Sequence, residues 1–232
     1  DTERTRARDL IAELVAQVSD GAMVVSKDAI GALDARIAEI DRVLSEQLSA
    51  VMHAPEFQQL EGSWRGLKYL VDNSETSTTL KIKVFNTTKK ELIKDFKNAA
   101  DFDQGTLFKK LYEEEYGTFG GAPFATLIGD FEFGRHPEDM YLLEEISHVC
   151  AAAHAPFLSA ASPELLGFDD FTELSGPRDL AKIFDTVEYA KWKSFRASED
   201  SRYVGLAMPH VLGRLPYGPD TDPVEAFNFV ER

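Results

Sequence analysis

The chain has little that could staple or anchor it. One cysteine, Cys150, stands among 232 residues, which excludes an internal disulfide and any zinc site built on several thiolates. It sits in an alanine-rich apolar run, where a small thiol packs as a hydrophobe and stays inert. No apolar stretch approaches the ~18–20 residues that span a bilayer as a helix. No charged segment followed by an apolar core opens the chain as a secretory leader would. Positive charge is short as well: 25 Lys and Arg against 40 Asp and Glu leave a formal charge of −15. That balance speaks against a general nucleic-acid binder, whose footprint is basic, and against docking on anionic lipid. It suits solubility or a basic partner. The expectation is a cytoplasmic protein with no membrane insertion and no nucleic-acid partner.

What is present is enough for a core. Hydrophobic residues make up 44% of the chain and 16 are Phe; at this length roughly 70% of the unfolded surface becomes buried on folding. The sequence begins without Met and stops at Arg232 in mid-pattern (FNFVER), so a fragment or processed piece is expected.

Residues 1–75 read as a helical region. Leu10, Ile11, Leu14, Val15 and Val18 form one apolar stripe, broken at Asp20-Gly21. A second helix starts after Ser26, a capping residue, with Asp28 favourably placed in its first turn. Its apolar positions are Ile30, Leu33, Ile37, Ile40, Leu44, Leu48 and Val51, close to a heptad seam. Such a helix either packs on its own domain or projects to meet another chain. A third helix, Phe57–Val71, puts Phe57, Leu60, Trp64, Leu67 and Val71 on one face, and Gly62 and Gly66 around Trp64 suggest close approach of another backbone.

From 76 to 213 strands alternate with helices. Leu80–Phe85 (LKIKVF) alternates with period two and reads as a strand; Phe124–Phe133 is another, with Gly129 a candidate bulge. Helices are expected over Lys89–Ala99, Leu107–Tyr116 and Glu138–Ala155, a short buried strand at Phe157–Ala161, helical pieces over Leu180–Phe184 and Val187–Arg196, and a last strand at Tyr203–Ala207. Proline-rich residues 214–232 read as an extended tail. The fold class is therefore α/β: a helical region, then a mixed, mostly parallel sheet flanked by helices.

No chemistry-bearing constellation emerges. His148 and His154 are six apart and point to different faces of a helix, and no HExxH or paired Cys/His motif exists. Gly117–Gly121 superficially suggests a phosphate loop, but Ala122-Pro123 stands where Lys-Ser/Thr would be required. Six lysines between Lys81 and Lys97 form the one basic patch, a solvated face or a site for an acidic protein partner. No catalytic, cofactor or metal residue is assigned. The densest group is Trp192–Gly218, where aromatics, three arginines and paired acids crowd a helix-to-strand junction. Ser198–Ser201 is its best enzymatic candidate, yet no histidine lies near in sequence and no GxSxG elbow is present. The better reading is a structural clamp of Trp192, Arg196, Glu199, Asp200, Arg202 and Tyr203, with Arg196 and Asp200 one helical turn apart. Ile30, Leu33, Ile37, Ile40, Leu44 and Leu48 form the candidate partner-contact helix.

Several ordered blocks resemble the large sheath subunit of the bacterial type VI secretion system, the TssC/VipB family. They are WRGLKYLV (Trp64–Val71), LKIKVFN (Leu80–Asn86), YGTFGGAPFATLIGDFEF (Tyr116–Phe133), HAPFLSAASPELLG (His154–Gly167), PRDLAKIF (Pro177–Phe184) and KWKSFRASEDSRYVGLAMP (Lys191–Pro209). The resemblance runs from about Phe57 to the end. It implies a contractile tail-sheath-like fold in a structural, non-enzymatic protein of the bacterial cytoplasm. It implies pairing with a small sheath subunit (TssB/VipA type) and contact with neighbouring sheath subunits. The sheath would polymerise around an inner tube protein, drive it by contraction and be recycled by an AAA+ ATPase. The family chain is about twice this length, and its ATPase-recognition helix lies upstream of this chain's first residue. The residues alone leave open a phage-type tail sheath, a non-polymerising adaptor, or an enzyme whose cleft is built by distant residues.

Overall fold

The protein is described by a computed structural model covering Ala12, Glu13, Ala16 and residues 29–232. The expected stripe from Leu10 to Val18, the Asp20-Gly21 break and the Ser26 cap lie outside the described residues. Two compact units are present, one of residues up to 74 with 212–232 and one of residues 75–211. No helix among the described residues is long and apolar enough to cross a membrane.

The second unit is built on three parallel strands in the order β1 (Leu127–Phe133), β2 (Phe157–Ala161), β3 (Val204–Ala207). Phe157 of β2 stands between Leu127 and Val204. The α/β class with a mostly parallel sheet is what the alternation predicts, and every strand pair observed is parallel. The register of β1 on β2 shifts between Ile128 and Glu132, at the glycine expected to bulge. A Cβ on Gly129 would lie 2.4 Å from the ring of Phe157, so only glycine lets that ring cross the strand. The Ser159 hydroxyl donates to the carbonyls of Gly129 (2.9 Å) and Phe131 (2.7 Å), satisfying acceptors in the irregular stretch.

The crossover from β1 to β2 is the helix α5 (Pro137–Ala153). Pro137 occupies its first turn, where a missing N–H costs nothing, and Glu138 and Asp139 complement the positive end. It closes on His154 in the left-handed conformation (φ 52°), and Pro156 prevents continuation. Its apolar residues bury on several sides: Leu142, Leu143, Ile146, Val149 and Cys150 are almost wholly removed from solvent, with Phe133, Phe157 and Ala161 of the sheet in the same cluster. Burial pushes the Cys150 thiol up to about 12, leaving a protonated packing group.

The helix α3 (Lys89–Asn98) opens on a capping box between Thr88 and Glu91 and buries Leu92, Ile93 and Phe96. The carboxylate of Asp95 accepts from the amide and hydroxyl of Thr106 at 2.6 and 2.7 Å. That bond seats the start of α4 (Thr106–Phe108), which runs on as a π-helix over Lys109–Tyr116. The glycine turn that follows is tight: a Cβ on Gly121 would stand 2.1 Å from the Glu115 carbonyl oxygen. Between β2 and β3 the chain passes through short 3-10 turns into α6 (Ala190–Ala197), which buries Trp192 and Phe195.

Leu80–Phe85, expected as a strand, has no regular secondary structure. Among the described residues no backbone group of residues 81–87 is hydrogen-bonded within the chain. The alternation is real, but a strand exists only with a neighbour to complete its ladder.

In the first unit, α1 (Ala29–Met52) and α2 (Pro55–Asp72) are joined through extended Ala54. Ser45, Ser49 and Met52 are the buried residues of α1, and none of α2 is buried. Residues 212–232, read from sequence as an extended tail, turn back through a bridge between Tyr217 and Asp222 and bury Phe229.

Candidate functional site

The clamp residues gather at the end of α6 and the entry to β3. The Trp192 ring stacks on Phe184 (5.8 Å, 28°) and lies near Phe195, with the Arg196 guanidinium above it at 5.7 Å. Arg202 pairs with Glu199 at 3.3 Å on the surface and covers Tyr203 at 5.5 Å. Asp200 meets Nδ1 of His148 at 2.8 Å, a partner 52 residues away on α5 that local spacing could not reveal. The Tyr203 hydroxyl likewise meets His154 at 3.2 Å. Junction and helix are thus tied by two imidazoles rather than by the junction's own charges alone.

The serines of this junction serve the backbone. Ser198 donates to the Phe195 carbonyl (2.7 Å), and Ser201 to the carbonyls of Ser198 (2.8 Å) and Arg196 (3.2 Å). A nucleophile would need its proton directed at a base; these hydroxyls close turns instead. No group of three His, Cys, Asp or Glu among the described residues is placed to hold a metal ion.

The first unit carries a different arrangement. On α1, Leu33, Ile37, Ile40, Leu44, Leu48 and Val51 are each between 39% and 56% exposed; the side chain of Ile30 is outside the described residues. At 100° per residue this stripe lies about 110° around the helix from Ser45, Ser49 and Met52, so the face the chain covers is not the apolar face. On α2, Phe57, Leu60, Trp64 and Val71 are exposed too, Trp64 by 64%. Among the described residues nothing comes within 4 Å of where the Cβ atoms of Gly62 and Gly66 would stand.

Polar contacts carry the packing in their place. Arg214 grips Glu61 (2.6 and 3.2 Å) and Glu231 (2.6 and 3.0 Å) at once. Its guanidinium covers the ring of Tyr217 at 4.6 Å. Glu61 also accepts from Arg65 (2.7 Å), and Arg65 donates to the Tyr217 hydroxyl (2.8 Å). The Glu231 side chain, 5% exposed, accepts from the Tyr217 amide at 2.9 Å and meets His53 at 3.1 Å. The Arg214 guanidinium, with the Tyr217 amide and His53, holds the Glu231 carboxyl down to about 2, and Arg214 lowers Glu61 in the same way. The sequence gives one hint of this cluster, an arginine in a proline-rich stretch; its acids come from positions 153 and 17 residues away.

Comparison with known proteins decides the family. The tail sheath N-terminal domain family VipB (EvpB/VC_A0108) matches residues 34–232. The chain belongs to this family. The type VI secretion system sheath protein TssC1 of Pseudomonas aeruginosa is 51% identical over 232 residues, covering 97% of this chain and 47% of the relative. The chain therefore spans about half the length of that sheath protein. Membership puts the exposed stripe of α1, most of which falls inside the matched residues, on a tail sheath domain.

Proposed function

We propose that this chain is the N-terminal part of a large subunit of a type VI secretion sheath and that its work is mechanical. It pairs with a small sheath subunit and packs against neighbouring sheath subunits. The polymer encloses an inner tube protein in the bacterial cytoplasm, drives it by contraction and is recycled by an AAA+ ATPase. The chain makes and breaks no covalent bond. The energy released on contraction is the difference in interface free energy between two packings of the same subunits.

The observation that carries this reading is the apolar stripe of α1, six large side chains left open on one 24-residue helix. Monomeric proteins rarely leave a continuous apolar face open without a partner, and near-heptad spacing suits a partner helix. We read residues 1–75 as the partner-contact region, 76–213 as the sheath domain, and 214–232 as a segment latched by Arg214. The junction of Trp192, Arg196, Glu199, Asp200, Arg202 and Tyr203 is read as the clamp that fixes β3 to its helices. Co-expression of the full-length protein with its small subunit, followed by negative-stain microscopy, tests the reading. Tubules are expected; soluble dimers that never polymerise would favour an adaptor and contradict it.

A further inference from the structure

We propose that residues 81–87 form a docking edge for an extended segment of another polypeptide, one that alternates apolar with acidic residues. Leu80, Ile82 and Val84 share one face of this segment and Lys81, Lys83 and Phe85 the other. Val84 is 72% exposed, and Leu80 and Phe85 about half. Seven consecutive residues leave every backbone N–H and C=O without a partner in the chain among the described residues. A β-patterned run with an unpaired backbone is the template on which an added strand forms its ladder.

The segment is held in place. Before it, the Leu80 carbonyl accepts from the Ser77 amide (2.9 Å) and the Leu80 amide donates to the Ser77 hydroxyl (3.3 Å). After it, the capping box fixes Thr88, and the Lys89 ammonium binds the Glu132 carbonyl (2.7 Å) and the Asp139 carboxylate. Within it, Lys83 is bound to Glu115 and lies over Phe124 at 5.0 Å. An edge fixed this way loses little conformational freedom when a strand arrives.

Charge selects the occupant. Lys81 is exposed here, and Lys90 and Lys94 are exposed on the helix that follows, a basic strip on a chain of charge −15. Acids opposite lysines stabilise a strand pair, and lysines opposite lysines weaken it.

The test is hydrogen exchange and binding with a short synthetic peptide of alternating valine and glutamate, against a control of alternating valine and lysine. The acidic peptide is expected to slow exchange at residues 81–87, and the control to leave it unchanged. Neighbouring residues of a strand aim their amides to opposite sides, so one of Val84→Pro and Phe85→Pro removes a ladder donor and weakens binding about tenfold or more. Lys81→Glu weakens it without altering the backbone. Absence of protection at 81–87, equal binding of the lysine peptide, or undiminished binding by both proline variants overturns the proposal. So does protection that arises from the chain's own self-association.

Discussion

The two units of this chain are held together by different physics. Residues 75–211 bury a continuous apolar cluster in which Phe133, Leu142, Leu143, Ile146, Val149 and Cys150 are wholly enclosed. In the unit formed by residues up to 74 and 212–232, the buried apolar side chains among the described residues are Met52 and Phe229, while Trp64 and the apolar stripe of α1 face outward. What ties it is a charged cluster around Arg214. A unit that satisfies its apolar surface is finished; one that satisfies its charges and leaves its apolar stripe open is half of an interface. On the proposed function, stability rests with the sheet unit and association with the helical one.

Truncating the core of the sheet unit should have the largest effect. Leu143→Ala leaves a cavity among residues with no solvent contact and is expected to cost about 2–5 kcal/mol. Thermal melting followed through the fluorescence of Trp192, the buried tryptophan, reads that loss. A change well under 1 kcal/mol would erase the distinction between a packed unit and a latched one.

Acid should act on the other unit. Glu231 has its carboxyl lowered from an ordinary 4.5 to about 2, first by Arg214, and Glu61 is lowered as well. A carboxyl lowered on folding adds stability that is fully present above its unfolded value and is lost as pH falls through its folded one. The latch should therefore loosen between about pH 4.5 and pH 2, by about 2 kcal/mol, the scale of a hydrogen bond to a charged group. The Tyr217 amide, bound to Glu231, reports it: its protection against exchange should fall over that window while amides of α5 keep theirs. Equal loss in both places would mean that the units do not differ in what holds them.

Legibility in the sequence follows the range of the interaction. Period and punctuation disclosed a helix over Glu138–Ala155, within two residues of α5 at either end, a strand after Pro156 and the irregularity at Gly129, because caps, prolines and glycines act on their immediate neighbours. The LKIKVF alternation is equally clear, yet it yields no strand, since no ladder partner for it lies among the described residues. Asp200 with His148 and Arg214 with Glu61 were hidden for the opposite reason: each joins residues far apart in the chain, and only the fold makes them neighbours. The exposed face of α1 lay between these limits. Its stripe could be read, but which side the chain covers depends on Ser45 and Ser49, two small polar residues that no hydrophobic pattern marks.

The smallest effect on stability should accompany the largest on association, and it is the most direct test. Ile37→Asp with Leu44→Asp in the full-length protein changes exposed positions, so folding stability should stay within about 0.5 kcal/mol. Copurification with the small sheath subunit should nevertheless be lost. A variant that melts normally and is pulled down as well as the parent would contradict the claim that the open stripe of α1 is where this protein meets its partner.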